Sequence, residues 1–138
     1  MGQNIREVMT ANPSTLEPNS TVVEAARIMK KADAGVVPVT DSGRLAGMVT
    51  DRDIAIRVVA EGKDPGSTKV GEIASTDLVT VDPQQDLDEA LRLMAQHKVR
   101  RLAVVEEDGR LVGVLAQADV AREGDDAQTG QVVQEISE

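Results

Sequence analysis

Apolar and polar residues follow two different periods along this chain, and the same order of periods is run through twice. Each run opens on a short extended piece, Ser14 to Glu17 and Leu78 to Val81, with Pro18 and Pro83 close behind. A proline cannot donate to a ladder, so these pieces are predicted as short edge strands. Apolar positions then fall at Val22, Ala25, Ala26 and Met29 in the first run, and at Leu87, Ala90, Leu91 and Met94 in the second. That is the i, i+3, i+4, i+7 spacing of a helix with one buried stripe. Thr21 with Glu24 and Asp86 with Glu89 supply the start signal, a capping residue followed three positions later by an acid.

Two short apolar runs separated by a turn come next. Val36 to Thr40, Asp41-Ser42-Gly43 and Leu45 to Val49 predict one β-hairpin; Leu102 to Val105, Glu106 to Gly109 and Leu111 to Leu115 predict another. A second helix follows in each run, over about Asp51 to Glu61 and about Gln117 to Arg122, with Gly62 placed to end the first.

The two runs are copies of one another. Glu7, Thr15, Pro18, Ala25 and Met29 recur 65 positions on as Glu72, Thr80, Pro83, Ala90 and Met94. After one inserted residue, Gly43, Arg44, Leu45, Gly47 and Asp53 recur 66 positions on as Gly109, Arg110, Leu111, Gly113 and Asp119. The expected division is a first repeat over 1–62, a linker over 63–69 containing Pro65 and Gly66, a second repeat over 70–123, and an acidic tail over 124–138 in which Val132, Val133 and Ile136 suggest a short helix. Strand, helix, strand, strand, helix, done twice, gives an α+β fold of two pseudo-symmetric β-α-β-β-α repeats. Each leaves one sheet face uncovered, so the expectation is sheet-to-sheet packing.

Composition narrows the function classes. The 138 residues carry a net charge of −9, which argues against nucleic acid and against anionic membrane surfaces as partners. Cysteine is absent and His97 is the single histidine, so thiolate metal sites, disulfides and imidazole clusters are excluded. His97, beside Lys98 at a helix end, reads as a surface residue. No apolar run approaches the roughly 20 residues that span a bilayer, and the N-terminus lacks a signal-peptide pattern. A cytoplasmic protein is the expectation. With no Phe, Tyr or Trp, any bound base must be gripped by aliphatic side chains and backbone, without an aromatic ring to stack on.

The sharpest local string is Gly47-Met48-Val49-Thr50-Asp51-Arg52-Asp53, where a strand ends and a helix begins. One reading is structural: Thr50 and Asp53 cap the helix. The other is functional: N–H groups beside a glycine suit phosphate, and a carboxylate suits the two hydroxyls of a ribose. Asp51 and Asp53 lack a third ligand nearby in sequence that would make them a metal site.

This string and the doubled architecture together resemble the CBS domain, in the tandem pair known as a Bateman module. The resemblance runs from Ile5 to Glu123. It rests on Val8-Met9, Val37-Pro38-Val39, Gly47-x-x-Thr50-x-x-Asp53, and Val99-Arg100-Arg101-Leu102-Ala103-Val104-Val105 ahead of Gly113-x-x-x-x-x-Asp119. Asp51-Arg52-Asp53-Ile54 followed by Gly62-x-Asp64-Pro65 is similar to stand-alone bacterial pairs.

The resemblance implies an adenosine-containing ligand (AMP, ADP, ATP, NAD or S-adenosylmethionine) in the cleft between copies. The closing string of one copy takes the ribose, and strand residues of the other take the base and phosphates. One cleft then uses Met48, Thr50, Arg52 and Asp53 with Thr80, Val99, Arg100 and Arg101. The opposite cleft uses Val114, Ala116 and Asp119 with Thr15, Gly35 and Val36. Ala116 replaces the hydroxyl of Thr50, and Gly35-Val36 replace the two arginines, so the first cleft is expected to be the stronger.

The resemblance also implies a homodimer, two pairs forming a flat disc, and regulation of a separate effector protein. The alternative is a structural or protein-interaction module whose clefts stay empty. An enzyme is not expected, because the sequence offers no nucleophile–base pair and no metal cluster.

Overall fold

The structure, a computed structural model, describes residues 3–123; the acidic tail and its expected helix lie outside the described residues. In chain order the elements are α1 (Ile5–Val8), β1 (Thr10–Ala11), α2 (Val22–Ala32), β2 (Val36–Asp41), β3 (Arg44–Thr50), α3 (Asp51–Ile54, continued by a π turn over Ala55–Val59), α4 (Val70–Ile73), β4 (Thr80–Val81), α5 (Leu87–His97), β5 (Arg101–Val105), β6 (Leu111–Ala116) and α6 (Gln117–Glu123). Helix and strand are mixed throughout, an α+β architecture.

The chain divides into two compact units, and these are cut differently from the sequence copies. One unit is residues 13–78; the other joins the N-terminal segment up to Asn12 to the chain from Val79 onward. Each unit therefore takes one short helix, α4 or α1, from the lead-in of the other sequence copy.

In the unit 13–78, β2 and β3 form an antiparallel hairpin. Leu16 adds a parallel bridge to Val39 on one side, and Ser75 an antiparallel bridge to Met48 on the other. The turn Ser42-Gly43 has positive φ at both residues, 55° and 82°, the two-residue form whose twist matches the strands. The core is Leu16, Val22, Ala25, Met29, Val37, Val39, Val49, Val58, Val70 and Ile73. On α2 the predicted stripe holds at Val22, Ala25 and Met29, while Ala26 is exposed and Ile28 packs partly buried against the core.

The expected linker is an ordered part of this unit. Thr68 is buried and its hydroxyl donates to the Asp64 carbonyl at 2.8 Å, while Val22 N donates to the Thr68 carbonyl at 2.9 Å. Gly62 ends the preceding helix at φ +71°, as its position predicted.

The other unit repeats the plan as a four-stranded sheet in the order β1-β6-β5-β4. β4 runs parallel to β5, and the remaining pairs are antiparallel. Its core is Ile5, Val81, Leu87, Ala90, Leu91, Met94, Leu102, Val104, Leu115 and Val120, so all four predicted stripe positions of α5 are buried.

The two long helices start differently. Thr21 and Glu24 make the reciprocal capping box expected of them. Asp86 stands at the N-cap of α5 but its side chain caps nothing. Glu89, the expected second half of that box, turns instead to Arg92, whose guanidinium hydrogen bonds hold the carboxyl below the usual carboxylate range.

Candidate functional site

The string from Gly47 to Asp53 sits at the β3–α3 junction, and its geometry follows from two local demands. The first is the start of α3. Thr50 Oγ1 accepts from Asp53 N at 3.0 Å, and Asp53 Oδ2 accepts from Thr50 N at 2.9 Å. Two orphan amides of the helix start are thereby satisfied reciprocally. The Asp53 side chain is only 11% exposed, and its second oxygen, Oδ1, lies 3.9 Å from Arg57 Nε. The structural and functional readings of this string are thus compatible: one carboxylate oxygen serves the cap, and the other faces a cation at ion-pair distance.

The second demand concerns the glycine. A Cβ on Gly47 would stand 3.1 Å from Ala74 Cβ and 3.1 Å from the Ser75 carbonyl oxygen. Gly47 lets the Ala74–Ser75 backbone close against β3, where Met48 and Ser75 exchange hydrogen bonds of 3.0 and 2.9 Å. Its role is close approach of chain to chain. Phosphate cradling, which sequence reasoning entertained for this position, is not needed to explain it.

Around the junction in the same unit, the Gly35 carbonyl accepts from Asp51 N at 3.0 Å, and Val36 pairs in register with Thr50. Met48 is buried; Arg52 is exposed, its amide donating to the Asp51 carboxylate. Thr15 is exposed next to Leu16. Thr50 and Asp51 are therefore paired with Val36 and Gly35 within this unit.

The other unit arranges its share in the same way. Arg101 pairs in register with Ala116, and the Arg100 carbonyl accepts from Gln117 N at 2.8 Å. Both arginine side chains are exposed at the start of β5. Thr80, also exposed, pairs with Ala103, whose antiparallel partner is Val114. Val99, half-buried, follows the left-handed Lys98 that ends α5. His97 is exposed, as read from sequence.

At the β6–α6 junction Ala116 N donates to Asp119 Oδ2 at 3.1 Å, the counterpart of the Thr50–Asp53 bond. The reverse bond cannot form, because Ala116 has no hydroxyl. A Cβ on Gly113 would lie 2.5 Å from Met9 Sδ and 2.9 Å from the Thr10 carbonyl oxygen, the same close approach as at Gly47.

Sequence reasoning missed one residue at the first junction. Arg57 faces Asp53 from one helical turn on, and its Nη1 donates to the Ile73 carbonyl at 3.1 Å. The four-residue spacing from Asp53 was the available signal; nothing in the sequence pointed to Ile73.

Comparison with known proteins agrees with this architecture. The CBS domain profile matches residues 5–60 and again 70–126. The CBS domain-containing protein YhcV of Bacillus subtilis is 46% identical over 118 residues, covering 86% of this chain and 83% of that protein. Hypoxic response protein 1 of Mycobacterium tuberculosis is 40% identical over 118 residues, covering 85% and 82%. A crystal structure of hypoxic response protein I with two coordinated zinc ions superposes with a TM-score of 0.79 at 39% identity, covering 87% of this chain and 98% of that one. CBSX2 in complex with AMP superposes with a TM-score of 0.77 at 27% identity, covering 88% and 95%.

Proposed function

The chain belongs to the CBS-domain family, tandem regulatory modules without catalytic activity of their own, and from that premise we propose that it binds an adenosine-containing ligand and relays its occupancy to a separate effector protein. Candidate ligands are AMP, ADP, ATP, NAD and S-adenosylmethionine. The observation that carries the reading is the Asp53 carboxylate. One oxygen is fixed by the cap at 2.9 Å, and the other, 3.9 Å from Arg57, retains capacity to accept from a ribose hydroxyl. The AMP bound by CBSX2 supports the choice of ligand class.

The binding set is Thr50 and Asp53 for the ribose, Met48 and Val99 for the base, and Arg100 and Arg101 for phosphate, with Arg52 and Thr80 at the margin. The set around Asp119, with Val114, Thr15, Gly35 and Val36, is the weaker one. Hydrogen bonds to charged groups contribute roughly 1.5–3 kcal/mol, against about 1 for neutral ones. A site that has Ala116 for a hydroxyl and no arginine pair therefore binds several factors of ten less tightly. Regulation is by mass action: ligand stabilises one arrangement of the protein over another. We place this activity in a cytoplasmic homodimer. Ile56 and Val59, 46% and 69% exposed on the π turn, support association through that face.

Zinc, which hypoxic response protein I holds, does not fit this chain. It has no cysteine and a single histidine, and among the described residues no group of three or more potential ligands is close enough to hold a metal. Structural zinc sites draw chiefly on thiolate and imidazole donors, and here there is one imidazole, His97, and no thiolate.

The test uses the missing aromatics. With no Trp or Tyr the protein is nearly transparent at 280 nm, so an absorbance band near 260 nm after purification reports co-purified nucleotide. Calorimetric titration of ligand-free protein with the candidates then ranks them. Failure of all of them to bind would exclude the adenosyl reading and leave the structural-module alternative.

A further inference from the structure

Arg57 occupies a position that neither the capping geometry nor the ligand reading requires. Its guanidinium faces two acceptors at once: Asp53 Oδ1 lies 3.9 Å from Nε, and the Ile73 carbonyl accepts from Nη1 at 3.1 Å. Asp53 is the carboxylate of the closing string in copy one. Ile73 is the last residue of α4, the lead-in helix of copy two in sequence. One side chain therefore joins the proposed ribose carboxylate to the segment that leads into the other repeat.

We infer that Arg57 is a positioning residue that couples ligand occupancy at Asp53 to α4; this rests on the adenosyl reading. The chemistry is competition for one carboxylate. A ribose hydroxyl that donates to Asp53 Oδ1 takes up acceptor capacity that Arg57 otherwise faces, and the guanidinium is left to weigh on the Ile73 carbonyl. That carbonyl belongs to a helix end, where intrahelical donors run out, so Arg57 supplies a bond the helix cannot replace from within.

What moves with Ile73 is defined by its neighbours. Val70 N donates to the Ser20 carbonyl at 2.8 Å and Gly71 N to the Pro18 carbonyl at 3.0 Å, while Ser75 is bonded to Met48 in β3. The segment Val70–Ser75 is thus held at both ends by backbone and in the middle by Arg57. At the position of the second copy equivalent to Arg57, four residues after Asp119, the sequence places Glu123, an acid.

The experiment combines calorimetry with amide hydrogen exchange on the full chain, titrated with AMP, ATP, NAD and S-adenosylmethionine. In the native protein, saturation with a ligand that binds is expected to change exchange at the amides of Val70–Ser75. Arg57→Gln removes the competitor for Asp53 Oδ1 and is expected to raise affinity about five- to tenfold, the scale of a typical coupling, and at saturating ligand to abolish the response at Val70–Ser75. Arg57→Lys keeps a competing cation for Asp53 but loses the planar fork, so it holds affinity near the native value without the exchange response. A purely structural role predicts instead that both variants lose stability while any bound ligand still produces the native exchange change. If the native protein binds a ligand and Arg57→Gln matches it in affinity and in exchange, the coupling is refuted and the adenosyl reading stands. If the native protein binds none of the four ligands, both fall together. Should Arg57→Gln not fold, Arg57→Lys carries the same comparison of exchange against affinity.

Discussion

At the scale of single residues the two copies differ, among other positions, by one hydroxyl and one pair of arginines, and these differences are measurable in two ways. In stability, Thr50 closes a capping box that Ala116 leaves half made. Thr50→Ala should cost about 1 kcal/mol, and Ala116→Thr should gain a comparable amount by adding the capping hydroxyl that Thr50 supplies in the first copy. Thermal unfolding of the two variants checks both signs. In binding, Asp53→Ala should abolish ligand affinity and Asp119→Ala should leave it nearly unchanged; equal losses in calorimetry would refute the proposed inequality. These positions were legible in the sequence because a capping box is local, its partners three residues apart. Asp86 with Glu89 carried the same signature and did not form the box. Arg92, three residues beyond Glu89 on the same helix, competes for that carboxylate and wins it. Arg57 was not legible in its role, since its second acceptor lies sixteen residues away in another element.

At the scale of elements, the glycine of each closing string is explained by the segment beside it. Each hairpin carries an irregularity just ahead of that glycine: the register shifts between Val39 and Thr40 opposite β3, and between Val104 and Val105 opposite β6. One extra residue, Ala46 or Val112, is accommodated there, which bends the strand locally. A side chain at the glycine then meets that segment. At Gly47 the nearest atoms are 3.1 Å away, and at Gly113 the Thr10 carbonyl is at 2.9 Å with Met9 Sδ at 2.5 Å. Gly113→Ala should therefore destabilise by roughly 2–3 kcal/mol, the upper part of the overpacking range, because backbone must move. Gly47→Ala should cost about 1 kcal/mol, being partly offset by the stiffer unfolded chain. Denaturant midpoints of the two variants rank them, and a larger loss at Gly47 than at Gly113 would contradict the packing account. The sequence showed that the two glycines are equivalent; it did not show why, because the crowding atoms belong to residues 27 or more positions away or to the far end of the chain.

At the scale of the whole chain, repeat and folding unit are different objects. Periodicity and the offsets of 65 and 66 residues identify copies beginning near Ile5 and Val70, but the compact unit that contains copy one runs from Pro13 to Leu78. The reason is that each lead-in segment completes the sheet and core of the other copy. Ser75 bridges Met48 in one unit, and Thr10 pairs with Val114 in the other. Periodicity reports which residues are buried within an element and carries no information about which of two identical neighbours that element joins. The consequence is a prediction about fragments. A fragment 1–62, cut at the sequence repeat, lacks Val70 and Ile73, both essentially fully buried in the core of the unit 13–78. Burying each such side chain stabilises by roughly 1.5–3 kcal/mol, so the cut removes roughly 3–6 kcal/mol, a large part of the about 5–15 kcal/mol that holds a small domain folded. It also removes Ser75 and with it the edge pairing of β3. The fragment 13–78 keeps every member of that core, the ordered segment from Asp64 to Thr68, and the bond from Arg57 to Ile73. Circular dichroism should accordingly show a cooperative thermal transition for 13–78 and none for 1–62. A cooperative transition in 1–62 would mean that the lead-in exchange contributes little, and that the sequence copy is itself the folding unit.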